Sequence, residues 1–263
     1  MKIFKPLLIL LVICTANNCM ANSFNTEKWV TKNGAQVVFY KAMEVPMLDI
    51  SLAFAAGSAY DGKQYGISAL TTLLLDDGNN GKNADELAEA IAESGAQFNA
   101  ETSRDMVVLN LRTLTDSKAL EESTSLLAQI INHPDFPTVS FNREKQQLLM
   151  AIDQSKDSPE DVAMVQFFNS LYREHPYAHP VNGTPETVTG ITKEQVQAFH
   201  KKYYVATNAT LVLVGSIDSL MAHQLADKLL QELPQGSKVP LINKVTSLNK
   251  SEAIKIPFPS AQT

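Results

Sequence analysis

Gln97-Phe98-Asn99-Ala100-Glu101, then Thr102-Ser103-Arg104-Asp105, then Met106-Val107-Val108-Leu109-Asn110-Leu111-Arg112 is the stretch from which the fold can be read. Two β-favouring runs flank four polar residues, which predicts paired strands around a turn. A helix lies on each side. Upstream, Asn83 is a cap for Ala84 to Ser94, where Leu87, Ala90 and Ile91 recur at helical spacing and Gly95 closes the element. Downstream, Ser117 to Ile131 is amphipathic and stops at His133-Pro134.

Further out, the pattern repeats. Trp29–Thr31 and Gln36–Tyr40 flank Asn33-Gly34, a hairpin signal. Met47 to Ala56 is a nearly continuous apolar strand, and Gly57 to Gly62 a loop. Gly66 to Leu75 is an apolar helix ended by Asp76-Asp77-Gly78-Asn79-Asn80-Gly81. Toward the C-terminus, helices are expected over Phe141–Ser155, from Ser158-Pro159 to about Arg173, over Thr192–Tyr204 with a Thr192/Gln195 capping box, and over Ser219–Leu233. His175 to Pro180 reads as a rigid loop, and Ala209–Val214 as a buried strand. Strands, helices, strands, helices, strand, helix is an α+β order: an antiparallel sheet with helices packed on one face. Residues 22–233 form this domain. Pro234 to about Asn249 reads as a linker, and Glu252–Pro257 as the first strand of a second, truncated domain spanning 250–263.

Composition excludes several classes of function. Lys2 and Lys5, the apolar run Leu7–Ile13 and the small residues ending at Ala21 have the order of a secretory leader over residues 1–21. That run is too short to span a bilayer, so the mature chain is expected to have no stable membrane span and to be periplasmic or secreted. Lipid attachment at Cys19 is disfavoured by the bulky polar Asn17 and Asn18. Cleavage removes both cysteines, Cys14 and Cys19, and with them any thiol chemistry or thiolate metal site. It also moves the net charge from −6 to −8, because Lys2 and Lys5 leave; such a surface repels nucleic acid. There is no phosphate loop and no nucleophile elbow. His175 and His179 have i, i+4 spacing, but Pro176 and Pro180 disfavour the helix that would make this spacing a metal pair. His133, His200 and His223 are isolated and expected at the surface or in packing. Asn182-Gly183-Thr184 and Asn208-Ala209-Thr210 match a glycosylation pattern that is too short to carry weight by itself.

Several stretches together resemble the M16 (insulinase or pitrilysin type) zinc peptidases. They are Gly57-Ser58-Ala59-Tyr60-Asp61, Gly66, Ser94 to Asp105, Asp157-Ser158-Pro159-Glu160, His175-Pro176-Tyr177, Gly183-Thr184-Pro185-Glu186, Tyr203-Tyr204, Asn208 and Val214-Gly215, in that order. The resemblance implies one half of a mitochondrial processing peptidase-like fold. In that family a His-x-x-Glu-His helix supplies two zinc ligands and a general base, and a distant glutamate is the third ligand. Aligned on Gly66, the resemblance puts Ala69 and Leu73 at the histidine positions, Thr72 at the base and Met150 at the third ligand. Ala and Leu have no donor atom, Met150 offers a poor thioether and a threonine hydroxyl is no base near neutral pH. No histidine lies between Met1 and Asn132, so a shift in alignment restores nothing. Asp76 and Asp77 would make a weak hard-cation site at most. No catalytic residue, metal site or cofactor is therefore expected in this chain.

What the resemblance implies is a non-catalytic subunit. Its zinc would sit in a partner M16 chain, and the two would enclose an extended peptide. Two alternatives stand beside it: an active zinc peptidase with atypical ligands, and a stand-alone periplasmic peptide-binding or scaffold protein.

Overall fold

The computed structural model describes residues 25–245, 251 and 253–258. The expected leader with Cys14 and Cys19, residues 246–250, Glu252 and residues 259–263 lie outside them.

The stretch that opened the sequence reading forms β6 (Gln97–Thr102) and β7 (Val107–Leu114), antiparallel as expected. With β1 (Thr26–Val30), β2 (Gln36–Lys41), β3 (Met47–Phe54) and β8 (Ala209–Gly215) they make one sheet, ordered β1-β2-β8-β3-β7-β6. Every pair is antiparallel except β2 with β8, which run parallel. The expected antiparallel sheet is thus present, with one parallel pair inside it. The intervening chain, from β3 to the helix before β8, supplies the long crossover that parallel neighbours require.

One face of the sheet carries the core. Phe39, Leu213, Ile50 and Leu111 line up across four strands, and Val37, Leu211, Leu52 and Leu109 form the next row. All eight are buried. The alternate residues of β3 (Met47, Asp49, Ser51, Ala53) point to the other, half-exposed face. This period of two is what a sheet covered on one side requires.

The helices follow the sequence signals closely. They are α1 (Ile67–Leu73), α2 (Ala84–Glu93), α3 (Ser117–Asn132), α4 (Thr138–Ser155), α5 (Pro159–Tyr172), α6 (Pro185–Gly190), α7 (Lys193–Tyr203) and α8 (Ser219–Leu230). Asn83 and Glu86 form a reciprocal capping box, as do Thr192 and Gln195, and Ser158 accepts from the Asp161 N–H. Two features differ from expectation. Asp76–Gly81 does more than end a helix: β4 (Gly78–Asn79) and β5 (Lys82–Asn83) pair across Asn80-Gly81. And α6 is a separate short helix, started by a Thr184/Thr187 capping box with Pro185 in its first turn. No strand forms at Ser251 or over Ala253–Phe258, where a new one was expected; among the described residues nothing pairs with that segment.

Candidate functional site

The site is built on α1, and two close contacts fix where α1 begins. Gly66 takes φ 95° just before the helix. A Cβ there would stand 2.6 Å from the Asn182 carbonyl oxygen, and one on Gly183 (φ 77°) would overlap the Tyr65 carbonyl. The two glycines let the 182–183 loop press on the helix start, which no side-chain-bearing residue permits. The buried carboxylate of Asp61 accepts from the Gly66 N–H (2.7 Å) and the Ser68 N–H (3.2 Å). Burial raises its pKa to about 7, against the pull of those hydrogen bonds.

From this anchored start, α1 presents Ala69, Thr72 and Leu73 to a cavity of about 330 Å³. The opposite walls are Ala100 and Thr102 of β6, Asn182, and Glu144, Gln147, Leu148 and Ala151 of α4. Three of the four positions read from the sequence thus meet in one place. The fourth does not. Met150 is 56% exposed and is not a lining residue; α4 turns Leu148 to the cavity. Two residues further along a helix is about 200° around it, so Met150 faces away. The α4 residues that do face the cavity are Glu144, Gln147, Leu148 and Ala151.

Thr72, at the place of the general base, is a structural hub. Its hydroxyl donates to the Ser68 carbonyl (2.9 Å), accepts from the Thr102 hydroxyl (2.7 Å) and lies 3.4 Å from the Tyr204 hydroxyl. Those contacts use its one proton and both lone pairs, leaving none for an incoming water or carbonyl. Tyr204 is buried between Phe54 (4.9 Å) and His200 (4.6 Å), and burial lifts its pKa above the usual tyrosine value.

The donor set does not fit zinc. Ala69 and Leu73 are hydrocarbon, Thr72 is saturated, and Met150 is turned away from the cavity. Among the described residues, no three His, Cys, Asp or Glu side chains are grouped to hold a metal ion. No hydrolytic step can be drawn through these residues.

Glu144, at the polar end of the cavity, went unnoticed in the sequence, and it stands next to the Asp76-Asp77 pair singled out there. Glu144, 8% exposed, accepts at Oε1 from Arg143 Nε (2.9 Å), and Arg143 Nη2 reaches Asp77 Oδ1 (2.6 Å). Asp77 Oδ2 is buried without a partner. Burial, then the charge of Glu144, raises the Asp77 pKa to about 6, with Arg143 opposing; burial also raises Asp76. A signal was there: Glu144 lies on the stripe Phe141, Leu148, Ile152 at helical spacing, an acid where an apolar residue belongs.

The histidines take packing roles. His179 stacks on Tyr65 (4.1 Å), His175 Nε2 meets the Asn243 carbonyl (2.8 Å), and no helix joins the two. His223 packs on Trp29, and His133 lies 2.9 Å from Glu232. Burial depresses the His200 pKa to about 4.

β6 is the sheet's edge, and its free side adjoins the cavity. The Ser103 N–H donates to the Met106 carbonyl (2.8 Å). Antiparallel pairs alternate, so Glu101, Asn99 and Gln97 carry the ladder to β7, while the N–H and C=O of Phe98, Ala100 and Thr102 point outward. Ala100 and Thr102 also line the cavity, so outward backbone groups and cavity share one stretch of β6.

With this geometry, comparison with known proteins is direct. The model of the insulinase family, peptidase family M16, matches residues 37–185, and that of the peptidase M16 inactive domain matches residues 190–263. The chain belongs to the M16 family. The second match begins before β8, so residues assigned to both models complete one sheet. A protein of Rickettsia felis named uncharacterized zinc protease is 30% identical over 220 residues, 83% of this chain and 52% of its own length. The non-peptidase homolog YmxG of Helicobacter pylori is 24% identical over 251 residues, 95% of this chain and 57% of its own. The crystal structure of a peptidase M16 inactive domain from Pseudomonas fluorescens superposes with TM-score 0.83 at 35% identity, over 84% of this chain and 54% of that one. The chain spans about half the length of the curated relatives it matches. No helix among the described residues is long and apolar enough to cross a membrane.

Proposed function

We propose that this M16 chain is a non-catalytic subunit that holds an extended peptide along β6 while a zinc-bearing M16 chain, paired with it, does the cutting. The observation that carries the reading is the cavity beside α1. It lies where the family resemblance puts a metal site, yet Ala69 and Leu73 stand at the histidine positions, a saturated Thr72 at the base position, and Met150, read as the third ligand position, is exposed away from the cavity. The names of the inactive domain from P. fluorescens and the non-peptidase homologue of H. pylori fit this, as does the expected leader, which would place the pair in the periplasm. The free edge at Phe98, Ala100 and Thr102 can add a strand through main-chain hydrogen bonds.

The test uses the purified chain alone and with an M16 partner carrying His-x-x-Glu-His. Alone, it should contain no stoichiometric zinc and cleave no peptide, yet bind extended peptides. Ala100→Pro removes an outward N–H that the β7 ladder does not use, so it should weaken peptide binding and leave the fold in place. One tightly held zinc per chain, or hydrolysis abolished by a chelator, refutes the proposal. Failure to co-purify with any zinc-bearing M16 chain while peptide binding persists favours the stand-alone binding protein.

A further inference from the structure

Among the described residues, every α-helix but one buries at least one side chain. The exception is α5, none of whose residues is buried although most of it is apolar. Phe168 and Tyr172 tie one edge of it to the body: the Arg104 guanidinium stands 3.4 Å above the Phe168 ring, and Tyr172 packs on Tyr177 (5.4 Å). Met164, Phe167 and Leu171, spaced i, i+3, i+7, form a stripe beside that edge. Met164 is 47% and Phe167 54% exposed. An apolar helix that buries nothing marks an interaction surface.

The chain carries a second uncovered surface, the half-exposed face of the sheet. Val38 of β2 and Val212 and Val214 of β8 lie there, beside Ala53 of β3 and Val108 of β7. Polar side chains on this face already satisfy one another. Ser51 donates to Asn110 (2.7 Å), and Arg112 donates to both oxygens of Asp49 (2.6 and 3.1 Å). Covering the face therefore strands none of these groups. At one end a hollow of about 290 Å³, walled by Ala42, Val45, Met47 and Val214, can seat an aromatic ring.

Area decides what covers the two surfaces. A helix of 14 residues is about 21 Å long and about 10 Å wide. Laid on a sheet it buries roughly 800 Å² over both surfaces, short of the ~1,200 Å² at which stable interfaces begin. Two such contacts, one in each direction, bury roughly 1,600 Å², the standard size. A second copy of this chain brings both a free α5 and a free sheet face, and two-fold symmetry pairs them together. We propose that the chain forms a two-fold dimer in which α5 of each copy lies on the open sheet face of the other, with Phe167 as the anchor. None of the interface residues named here lines the cavity beside α1, so the proposal stands apart from the peptide-binding reading.

The experiment is sedimentation equilibrium on the full chain, expressed with its leader, from about 1 to 100 μM. A monomer–dimer equilibrium with a dissociation constant in the micromolar range or tighter is expected. Phe167→Asp on the helix and Val212→Lys on the sheet should each weaken it. An anchor is worth about thirtyfold, and symmetry removes it from both contacts, so the loss should reach about several hundredfold. Circular dichroism and melting curves like wild type show that a variant still folds. Should Val212→Lys fail to fold, Leu114→Lys, on the same face and 46% exposed, takes its place. A chain that stays monomeric throughout overturns the proposal. So does a dimer that survives either substitution, since both surfaces must take part. Species that grow past the dimer with concentration overturn the two-fold closure. Protection of α5 from hydrogen exchange only when a zinc-bearing M16 chain is added gives the surface to that chain and overturns the second copy.

Discussion

Replacing Thr72 by valine removes one oxygen and nearly preserves shape, so it isolates what the hydroxyl does. The Thr72 hydroxyl is the only hydrogen-bond partner of the Tyr204 hydroxyl among the described residues, and Tyr204 is buried. Stranding a buried hydroxyl costs about 1–3 kcal/mol. The Thr102 hydroxyl also loses its acceptor, but it is partly exposed and can turn to water, so this adds little. The net expectation is a loss of about 2 kcal/mol, or roughly 4–8 °C in Tm for a domain of this size. Tyr204→Phe removes the stranded group. In that background Thr72→Val should cost at most about 1 kcal/mol, giving a coupling of about 1 kcal/mol between the two sites. Urea denaturation followed by circular dichroism on the four proteins measures the cycle, with m expected to stay constant. Costs that simply add, or a Thr72→Val protein as stable as wild type, would refute the claim that Thr72 is committed to the core and closed to chemistry.

Asp61 has a folded pKa of about 7 against 3.8 ordinarily. Its folded pKa is raised, so the stability it contributes is full below pH ~4 and is lost as pH rises to about 7, by as much as ~4 kcal/mol. Asp61→Asn cannot titrate, so the stability difference between wild type and variant should move against wild type over that window; parallel profiles in urea titrations at several pH values would contradict this. Gly62 and Gly183 both have positive φ, but only Gly183 has backbone against it. Gly62→Ala should cost about 1–2 kcal/mol and Gly183→Ala clearly more, by thermal denaturation, and equal costs would discard the contact with Tyr65 as the reason for the glycine. Grafting Ala69→His, Thr72→Glu and Leu73→His with a glutamate at one of the cavity-facing positions of α4, Leu148 or Ala151, should yield a chain that retains zinc after gel filtration, measured by elemental analysis; the same graft with Met150→Glu should not, and the reverse outcome would move the fourth position back to Met150.

How much of this was legible in the sequence depended on how far apart the deciding residues stand. Caps are local, so Asn83, Ser158 and Thr192 were read correctly, Thr192 together with its partner Gln195; the structure adds Glu86 and Asp161 as the partners of the other two. The alternation of β6 and β7 and the turn between them were equally plain. The parallel pairing of β2 with β8 was not. Both are apolar runs, and nothing local says which neighbour each will take. The displacement of Met150 had a similar origin: counting residues through two hairpins, three helices and their loops carries no constraint on which way a side chain faces. The local stripe did carry one. Phe141, Glu144, Leu148 and Ile152 share a buried face of α4, and Met150 lies off it. That stripe would have set Met150 aside, and it contained a second message in Glu144. A carboxylate at a core position loses its hydration, so a sequence tolerates it only where something else meets the charge. Arg143 meets one oxygen. The Glu144 side chain lines the cavity and keeps 11% exposure, so water entering there can meet the rest of the charge, and the acid is tolerated because its core position opens onto a cavity.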